Sequence, residues 1–254
     1  MAIKQYDYDK FAKYYDIIEL KASNYYEKTN DLLDRIFKRY KVKTVLDMTC
    51  GTGAQTISLT KRGYKVTASD ISKGMLEIAK EKSKGLGICF YQGDMRTVRL
   101  RKFDAVIIIF NAIAHLSKKD FEKAIRNVSE NLKEHGLFIF DIFNLDFMKS
   151  GHFRDYKHMD FAMEHECVKY VRFNDNRLDS KKGIMEVNQE VYIQKGYDKP
   201  EVHKESWSMQ IYSSSELKKL LEKNGFKVIN FYDGNGKNFI EEKSVSIFVI
   251  AQKK

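Results

Sequence analysis

The chain has 254 residues, of which 43% are hydrophobic, so it can bury a sizeable core, and this composition argues against global disorder. Its formal net charge of +10 would suit nucleic acid, anionic lipid or acidic metabolites. The lysines are nevertheless spread over the whole chain, in segments such as KEKSK and LKKLLEK, which favours solvated helix faces over a dedicated nucleic-acid surface.

The three cysteines, Cys50, Cys89 and Cys167, are far apart and show no paired spacing. This pattern argues against a disulfide framework or a zinc ribbon and fits a reducing compartment. The first residues, MAIKQYDYDKFAKYYD, are charged and aromatic, and no run of 18 apolar residues is present. We therefore expect a cytoplasmic protein without a membrane span.

Short apolar runs alternate with helical patterns over the first 145 residues. Strands are predicted at Thr44–Met48, Lys65–Asp70, Gly87–Gln92, Phe103–Phe110 and Gly136–Phe143. Helices are predicted at Gly53–Arg62, Ser72–Ser83 and Lys119–Leu132. This alternation predicts a doubly wound, mostly parallel sheet with helices on both faces.

The alternation stops near residue 150. Three β-like segments follow, at Met163–Phe173, Ile184–Gln194 and Val202–Ile211, separated by turn residues in NDNRLDSKKG and KGYDKPE. We therefore predict that 151–212 is an antiparallel insertion after strand five, and that 1–150 and 213–254 form the main domain. A capping box at Ser213 starts a helix that ends at Asn224-Gly225. Strands at Lys227–Tyr232 and Val245–Ala251 bring the sheet to seven.

The stretch VLDMTCGTG, residues 45–53, places a glycine turn directly after the first strand. A phosphate-binding P-loop would need Gly-Lys-Ser/Thr at its end, and here Gly53 is followed by Ala54-Gln55. A dinucleotide fingerprint would need a third glycine where Thr56 stands. The third interpretation is a ligand without phosphate, because Asp47 would repel one.

Acidic residues follow three successive strands. Asp47 and Asp70 are 23 residues apart, and Asp94 stands after the third strand and before Met95. Strand ends of a parallel sheet meet at one edge, which is where open α/β sheets bind ligands. Asp70 suits the two hydroxyls of a ribose, and Asp94-Met95 suits an adenine ring. Together they predict one nucleoside-binding edge.

VLDMTCGTG, VTASD and YQGDM resemble motifs I, II and III of the class I S-adenosylmethionine-dependent methyltransferases, although Thr49 replaces the first glycine of many members. FNAIAHL (110–116) and FAKYYD (11–16) are similar to segments of glycine N-methyltransferase and the sugar-amine dimethyltransferases. The resemblance implies a Rossmann-like domain, S-adenosylmethionine as cofactor and S-adenosylhomocysteine as product. It implies cofactor contacts from Tyr14, Tyr25, Asp47, Cys50, Gly51, Thr52, Gly53, Asp70, Ile71, Met75, Asp94, Met95 and Phe110.

Candidates for the acceptor side are His115, after the fourth strand, and Tyr14. Packing at a helix start is the competing interpretation of His115, and related enzymes often work by proximity without a base. Arg172 and Arg177 could grip an acceptor anion, but a surface charge is the interpretation we favour. We expect Trp207 and Met209 to pack the small sheet.

His165 and Cys167 alternate on one predicted strand and could share a face. Two residues do not make a metal site, so we expect no metal.

The leading hypothesis is transfer of a methyl group to a small-molecule acceptor, with nitrogen as the acceptor atom. An RNA methyltransferase of the same fold, a non-catalytic cofactor-binding regulator and a nicotinamide-dependent reductase stay open as alternatives. A homo-oligomer also stays open. The insertion has no motif that names the acceptor.

Overall fold

A seven-stranded sheet forms the centre of the computed structural model, which describes residues 3–20, 25–153 and 155–254 apart from the side chains of Leu20, Tyr25 and His152. The strands are β1 (Thr44–Asp47), β2 (Lys65–Asp70), β3 (Cys89–Gln92), β4 (Phe103–Ile108), β5 (Leu132–Phe143), β10 (Phe226–Tyr232) and β11 (Ser246–Lys253). Their order is β10-β11-β5-β4-β1-β2-β3. β1 to β5 are parallel, whereas β11 is antiparallel to both neighbours. The predicted doubly wound, mostly parallel sheet is confirmed.

The α-helices are α1 (Tyr8–Tyr15), α2 (Tyr25–Arg39), α3 (Ala54–Lys61), α4 (Lys73–Lys82), α5 (Lys118–Asn131), α6 (Leu145–Phe147) and α7 (Ser214–Lys223). Most of them begin at a side chain that caps the helix, whereas α3 begins at Gly53 without one. Ser72 accepts a hydrogen bond from the Met75 backbone N–H at 3.1 Å and so starts α4. The capping box predicted at Ser213 is present, because Ser213 and Glu216 each accept from the other's backbone N–H.

The apolar strands β4, β5 and β11 carry the core because both of their faces are covered. On one face, the ring of Phe121 in α5 lies 5.7 Å from that of Phe140 in β5. On the other face, Phe37 of α2 packs 5.1 Å from Tyr64. The three phenylalanine side chains are fully buried. Burial of one phenylalanine side chain stabilises the fold by about 1.5–3 kcal/mol. The near-continuous apolar runs of these strands follow from this two-sided burial.

β4 ends at Ile108, two residues before its predicted end. Phe110 and Asn111 have φ angles of 65° and 55°, so the backbone turns out of the sheet in a left-handed conformation. The side chain of Asn111 accepts from the Phe143 backbone N–H at 3.1 Å and donates to the Met209 Sδ at 3.1 Å. These contacts join the end of β4 to β5 and to the insertion.

The insertion forms an antiparallel sheet of four strands among the described residues, whereas three β-like segments were predicted. The strands are β6 (Tyr156–His165), β7 (Val168–Asp179), β8 (Ile184–Lys195) and β9 (Glu201–Gln210). The prediction of one segment at Met163–Phe173 was wrong, because Glu166-Cys167 forms a two-residue turn with φ angles of 51° and 60°. This turn contains no glycine, proline or asparagine that would mark it in the sequence.

The same turn corrects the prediction that His165 and Cys167 share a strand face. His165 ends β6 and Cys167 lies in the turn. The separator NDNRLDSKKG was also placed wrongly, since Asn174–Asp179 stays in β7, paired with Ile184–Gln189 of β8, and only 180–183 turn.

Not one of the described helices is both long enough and apolar enough to cross a membrane.

The left-handed turn between β6 and β7 leads to a prediction about the free energy of unfolding. Cys167→Gly should stabilise the protein by about 1 kcal/mol, because a side chain at a left-handed position costs roughly that amount. Urea unfolding measures the change. Lys181→Gly is the matched control, since Lys181 lies in the next turn without a left-handed φ and its replacement should destabilise. Equal effects of the two substitutions would contradict the turn assignment.

Candidate active site

A tight glycine turn connects β1 to α3 at the carboxyl ends of the parallel strands. The edge of the sheet formed by these strand ends is here called the cofactor edge. Gly51 and Gly53 have φ angles of 52° and 88°. A Cβ atom at Gly53 would lie 3.2 Å from the Cβ of Ala79 in α4. The turn therefore depends on glycine both for its left-handed backbone and for its close approach to the neighbouring helix.

Asp47 lies at the end of β1 under this turn and is 2% exposed. Its Oδ2 accepts a hydrogen bond from the Thr56 hydroxyl at 2.7 Å. Burial raises the pKa of Asp47 to about 7 and outweighs this bond, which lowers it. A positively charged ligand at the turn would favour the ionised carboxylate.

Asp70 ends β2 and contacts the glycine turn directly. Its carboxylate accepts from the Gly51 backbone N–H at 2.8 Å and from the Ser72 backbone N–H at 2.9 Å. Burial raises the pKa of Asp70 despite these bonds. The next residue, Ile71, is 61% exposed at the same edge. The structure thus brings together Asp47, Asp70 and the glycine turn, as predicted from their spacing.

Asp94 follows β3 on the cofactor edge, but a cation balances its charge. The Arg96 Nε lies 2.9 Å from both carboxylate oxygens, and the Arg96 backbone N–H donates to Oδ1 at 2.8 Å. Burial alone would raise the pKa of Asp94, but the contacts with Arg96 outweigh it and lower the pKa. Met95 is half-buried beside it and packs against the main core.

Four other predicted contact residues differ in their accessibility. Cys50 is buried against Ala68, and burial raises the pKa of its thiol well above the usual value. Met75 is fully buried at the start of α4. Thr52 is buried, with its hydroxyl donating to the carboxylate of Asp16. Phe110 lines the large cavity described below.

The segment before β1 contributes two carboxylates that the sequence analysis did not single out. Asp9 in α1 accepts from the Ser72 hydroxyl and the Gly74 backbone N–H, both at 2.7 Å. Asp16, just after α1, contacts Thr52 and forms an ion pair with Lys82. These contacts hold α1 across the cofactor edge. In the sequence, the only sign of Asp9 and Asp16 is that they are acidic residues in a short charged segment.

Tyr14 does not face the site, in contrast to its predicted position. Its hydroxyl donates to Glu201 Oε2 at 3.0 Å, and its ring packs 5.5 Å from His203 of the insertion. The tyrosines of this segment that line the cavity include Tyr8 and Tyr15. Neighbouring residues of a helix point about 100° apart, so Tyr15 takes the inward position that was predicted for Tyr14. The side chain of Tyr25 lies outside the described residues.

A cavity of about 1110 Å³ lies between the end of the main sheet and the insertion. Tyr6, Tyr8 and Tyr15 line it from the N-terminal segment, and Trp207 lines it from β9. The rings of Tyr6 and Trp207 pack edge to face at 4.8 Å. Trp207 and Met209 therefore pack the small sheet, as expected, and also form the cavity wall.

His115 reaches this cavity from the short 3₁₀ turn Ala112–His115 after β4. Its Nε2 lies 2.9 Å from the Tyr8 hydroxyl, while its Nδ1 is buried without a hydrogen-bond partner among the described residues. Burial lowers the pKa of His115 to about 4, so the imidazole is neutral near pH 7. An unpartnered buried ring nitrogen suits a polar group of a ligand.

Arg172 also lines the cavity, and Arg177 does not. Arg172 pairs with Glu19 and Asp160, and its guanidinium lies 4.6 Å from the ring centre of Phe161. Arg177 is exposed and pairs with Asp175 at 3.5 Å. The favoured interpretation of a surface charge fits Arg177, whereas Arg172 forms ion pairs with Glu19 and Asp160 inside the cavity.

The donor set of the cofactor edge fits S-adenosylmethionine. The buried carboxylate of Asp47 at the glycine turn suits the positively charged groups of the cofactor and would repel a phosphate. Asp70 would hold the ribose hydroxyls, Ile71 and Met95 would cover the adenine, and the backbone of Gly51–Gly53 would face the methionine part. No geometry of the described residues contradicts this assignment.

Comparison with known proteins finds sequence similarity to methyltransferases. A family model described as a methyltransferase domain matches residues 45–136. A putative methyltransferase of Geobacillus sp. (strain WCH70) is 27% identical, over 97% of this chain and 99% of its own. The glycine/sarcosine N-methyltransferase of Parasynechococcus marenigrum is 32% identical, over 49% of this chain and 46% of its own.

The fold is also similar to that of a solved structure. A crystal structure of an S-adenosylmethionine-dependent methyltransferase from Clostridium acetobutylicum has a TM-score of 0.81 with this chain. The two are 23% identical, and the alignment covers 97% of this chain and 98% of the other. At 23% identity, this similarity shows that the two chains share a fold.

The position of Asp70 makes a binding prediction. Asp70→Asn should weaken S-adenosylmethionine binding by about 1–3 kcal/mol, because a charge-assisted hydrogen bond is lost. Isothermal titration calorimetry measures the affinity. Glu77→Gln, an exposed acid on α4, should leave it unchanged. Wild-type affinity in the Asp70 variant would remove this residue from the cofactor site.

The raised pKa of Asp47 predicts proton release on cofactor binding. At pH 7 a carboxyl group with a pKa of about 7 is half protonated, and the positive cofactor should drive it to the ionised form. Calorimetry in buffers of different ionisation enthalpy should detect about half a proton released per cofactor. Asp47→Asn should abolish the release, and an unchanged release in that variant would contradict the assignment.

Proposed function

We propose that this chain, which belongs to the class I S-adenosylmethionine-dependent methyltransferases, methylates the nitrogen of a small amine. The predicted family and its cofactor are confirmed. The observation that carries the nitrogen proposal is the cavity of about 1110 Å³ next to the cofactor edge, with carboxylates among its lining residues. The glycine/sarcosine N-methyltransferase among the relatives supports an amine.

The cofactor, when bound, supplies a methyl group on a sulfonium, so the task of the protein is to align the acceptor with that group. The glycine turn and Asp70 fix the cofactor, and Phe110 lies where the cofactor edge meets the cavity. The rings of Tyr8, Tyr15 and Trp207 exclude water from the reacting atoms.

His115 is proposed to position the acceptor rather than to remove its proton. A histidine with a pKa of about 4 is a poor proton acceptor near neutral pH. Its neutral ring can still exchange a hydrogen bond with the acceptor at Nδ1, while Tyr8 holds Nε2. The tautomer of His115 decides which of its two ring nitrogens donates a hydrogen bond and which accepts one.

The proposed role of His115 predicts a variant phenotype. His115→Asn should lower kcat/KM by about 10- to 100-fold, because one hydrogen bond to the acceptor is lost. The wild-type rate should show no His115 inflection between about pH 5.5 and 8, since the ring is neutral throughout that range.

Steady-state kinetics over this pH range measure both effects. His135→Asn is the matched control, because His135 lies at the opposite edge with a φ of 61° that asparagine tolerates. An inflection near pH 6.5 that disappears in His115→Asn would contradict the positioning role.

The function itself is tested with S-adenosylmethionine labelled on the methyl group. The protein is incubated with a cell extract that is separated into small-metabolite, RNA and protein fractions. We expect label on nitrogen in the metabolite fraction. Label in RNA alone would overturn the small-molecule acceptor, and label on oxygen or carbon would overturn the amine. Asp70→Asn serves as the control for background labelling.

A further inference from the structure

The insertion sheet presents three amide side chains to the cavity. Asn174 and Asn176 of β7 and Gln189 of β8 line it and are here called the amide row. Asn174 and Asn176 are two residues apart, and Gln189 lies directly opposite Asn174, so all three share one face of the sheet. A sheet face that covers a core is usually apolar, so three amides on this face indicate a specific use.

The rest of this face is apolar. Met185 and Val187 of β8 lie opposite Met209 and Trp207 of β9, and all four line the cavity. The strand order is β6-β7-β8-β9. The apolar part of the face therefore lies at β8 and β9, and the amide row lies towards β7.

The apolar part adjoins the end of the main sheet. The Asn111 side chain, which follows β4, donates to the Met209 Sδ at 3.1 Å. Phe110, beside Asn111, lines the cavity where it meets the cofactor edge. Since β7 is two strands away from β9, its amides lie roughly 10 Å further across the sheet. The amide row therefore faces a part of the acceptor that is remote from the reacting nitrogen.

The hydrogen bonds of the amide row are incomplete. Gln189 is 6% exposed, and its Nε2 donates to the Asn174 Oδ1 at 3.3 Å, which is long for such a bond. The Asn176 Oδ1 is buried and has no hydrogen-bond partner in the part of the chain that the structure describes. Because a buried polar group without a partner is costly, a hydrogen-bond donor of a ligand would be favoured here.

The charges beside the amide row disfavour an anionic ligand group. Arg172 lies two residues before Asn174 on the same face of β7 and pairs with Glu19 and Asp160. An anion at this end of the cavity would meet these two carboxylates as well as the guanidinium. A neutral group avoids this repulsion. Since amide side chains both donate and accept hydrogen bonds, they suit a neutral group that does the same.

We propose that the amide row binds a carboxamide-like group at the end of the acceptor opposite the methylated amine. This inference rests on the proposed function and names the residues that recognise the body of the acceptor. A carboxamide can donate its N–H to the Asn176 Oδ1 and accept from an amide N–H of the row. An apolar group of the same shape would leave these buried groups unpaired, which is the basis of the discrimination.

The test uses three benzylamines that differ only in the group opposite the amine: para-(aminomethyl)benzamide, para-(aminomethyl)benzoate and para-isopropylbenzylamine. The carboxamide, carboxylate and isopropyl groups are similar in shape, but only the carboxamide is both neutral and polar. Their affinities for the S-adenosylhomocysteine-saturated protein are measured by ligand-observed NMR titration. We expect the wild type to bind the benzamide at least about tenfold more tightly than the isopropyl compound. It should also bind the benzamide more tightly than the benzoate, and the reverse order would overturn the proposal.

Asn176→Leu and Gln189→Met replace an amide with an apolar group of similar volume. Each should bring the preference for the benzamide over the isopropyl compound to one or below, because an apolar wall favours the apolar probe. Asn188→Leu is the matched control, because Asn188 adjoins Gln189 on β8 but lies exposed on the outer face of the sheet. It should keep the wild-type preference.

S-adenosylhomocysteine binding by calorimetry verifies that each variant is folded. A wild-type preference in Asn176→Leu or Gln189→Met, or no preference in the wild type, would overturn the proposal.

A measurement on the wild type alone keeps the test valid if the variants do not fold. The side-chain amide N–H signals of Asn176 and Gln189 should shift in the NMR spectrum on adding the benzamide and not on adding the isopropyl compound. Equal shifts would overturn the proposal. Neither readout requires methyl transfer, so a preference for the benzamide without any transfer to nitrogen would refute the proposed function and not the role of the amide row.

Discussion

The carboxylate of Asp70 accepts a hydrogen bond from the backbone N–H of Gly51, and this contact joins the ends of β1 and β2 at the cofactor edge. The turn can approach only because Gly51 and Gly53 adopt left-handed conformations. Asp47 is buried below the turn, so the turn lies beside two carboxylates. Two carboxylates at this turn disfavour a phosphate-bearing ligand and favour a positively charged nucleoside.

The N-terminal segment connects this edge to the cavity between the main sheet and the insertion. Asp9 binds the start of α4, and Asp16 binds Thr52 within the glycine turn. The same segment places Tyr8 and Tyr15 over the cavity. The N-terminal segment therefore contacts both the cofactor edge and the cavity. The insertion closes the other side, and Asn111 ties it to the main sheet through Met209.

The fold and the cofactor edge could be predicted because their signals are local. An apolar strand, a glycine turn and a following acid are contiguous in sequence, and parallel strands necessarily bring such turns together. The sequence indicated His115, which lines the cavity, but not most of the other lining residues, because they come from segments far apart in the chain. Tyr14 and Tyr15, for example, differ only in helix phase. The turn at Glu166-Cys167 lacks the residues that normally mark a left-handed turn.

The most direct test of the account is what the glycine turn binds. Equilibrium dialysis of the purified protein against S-adenosylmethionine, NADH and ATP compares a sulfonium cofactor with two phosphate-bearing ones. We expect one S-adenosylmethionine per chain and no retention of NADH or ATP, because the buried carboxylate of Asp47 at the glycine turn repels phosphates. Retention of NADH or ATP in place of S-adenosylmethionine would contradict it.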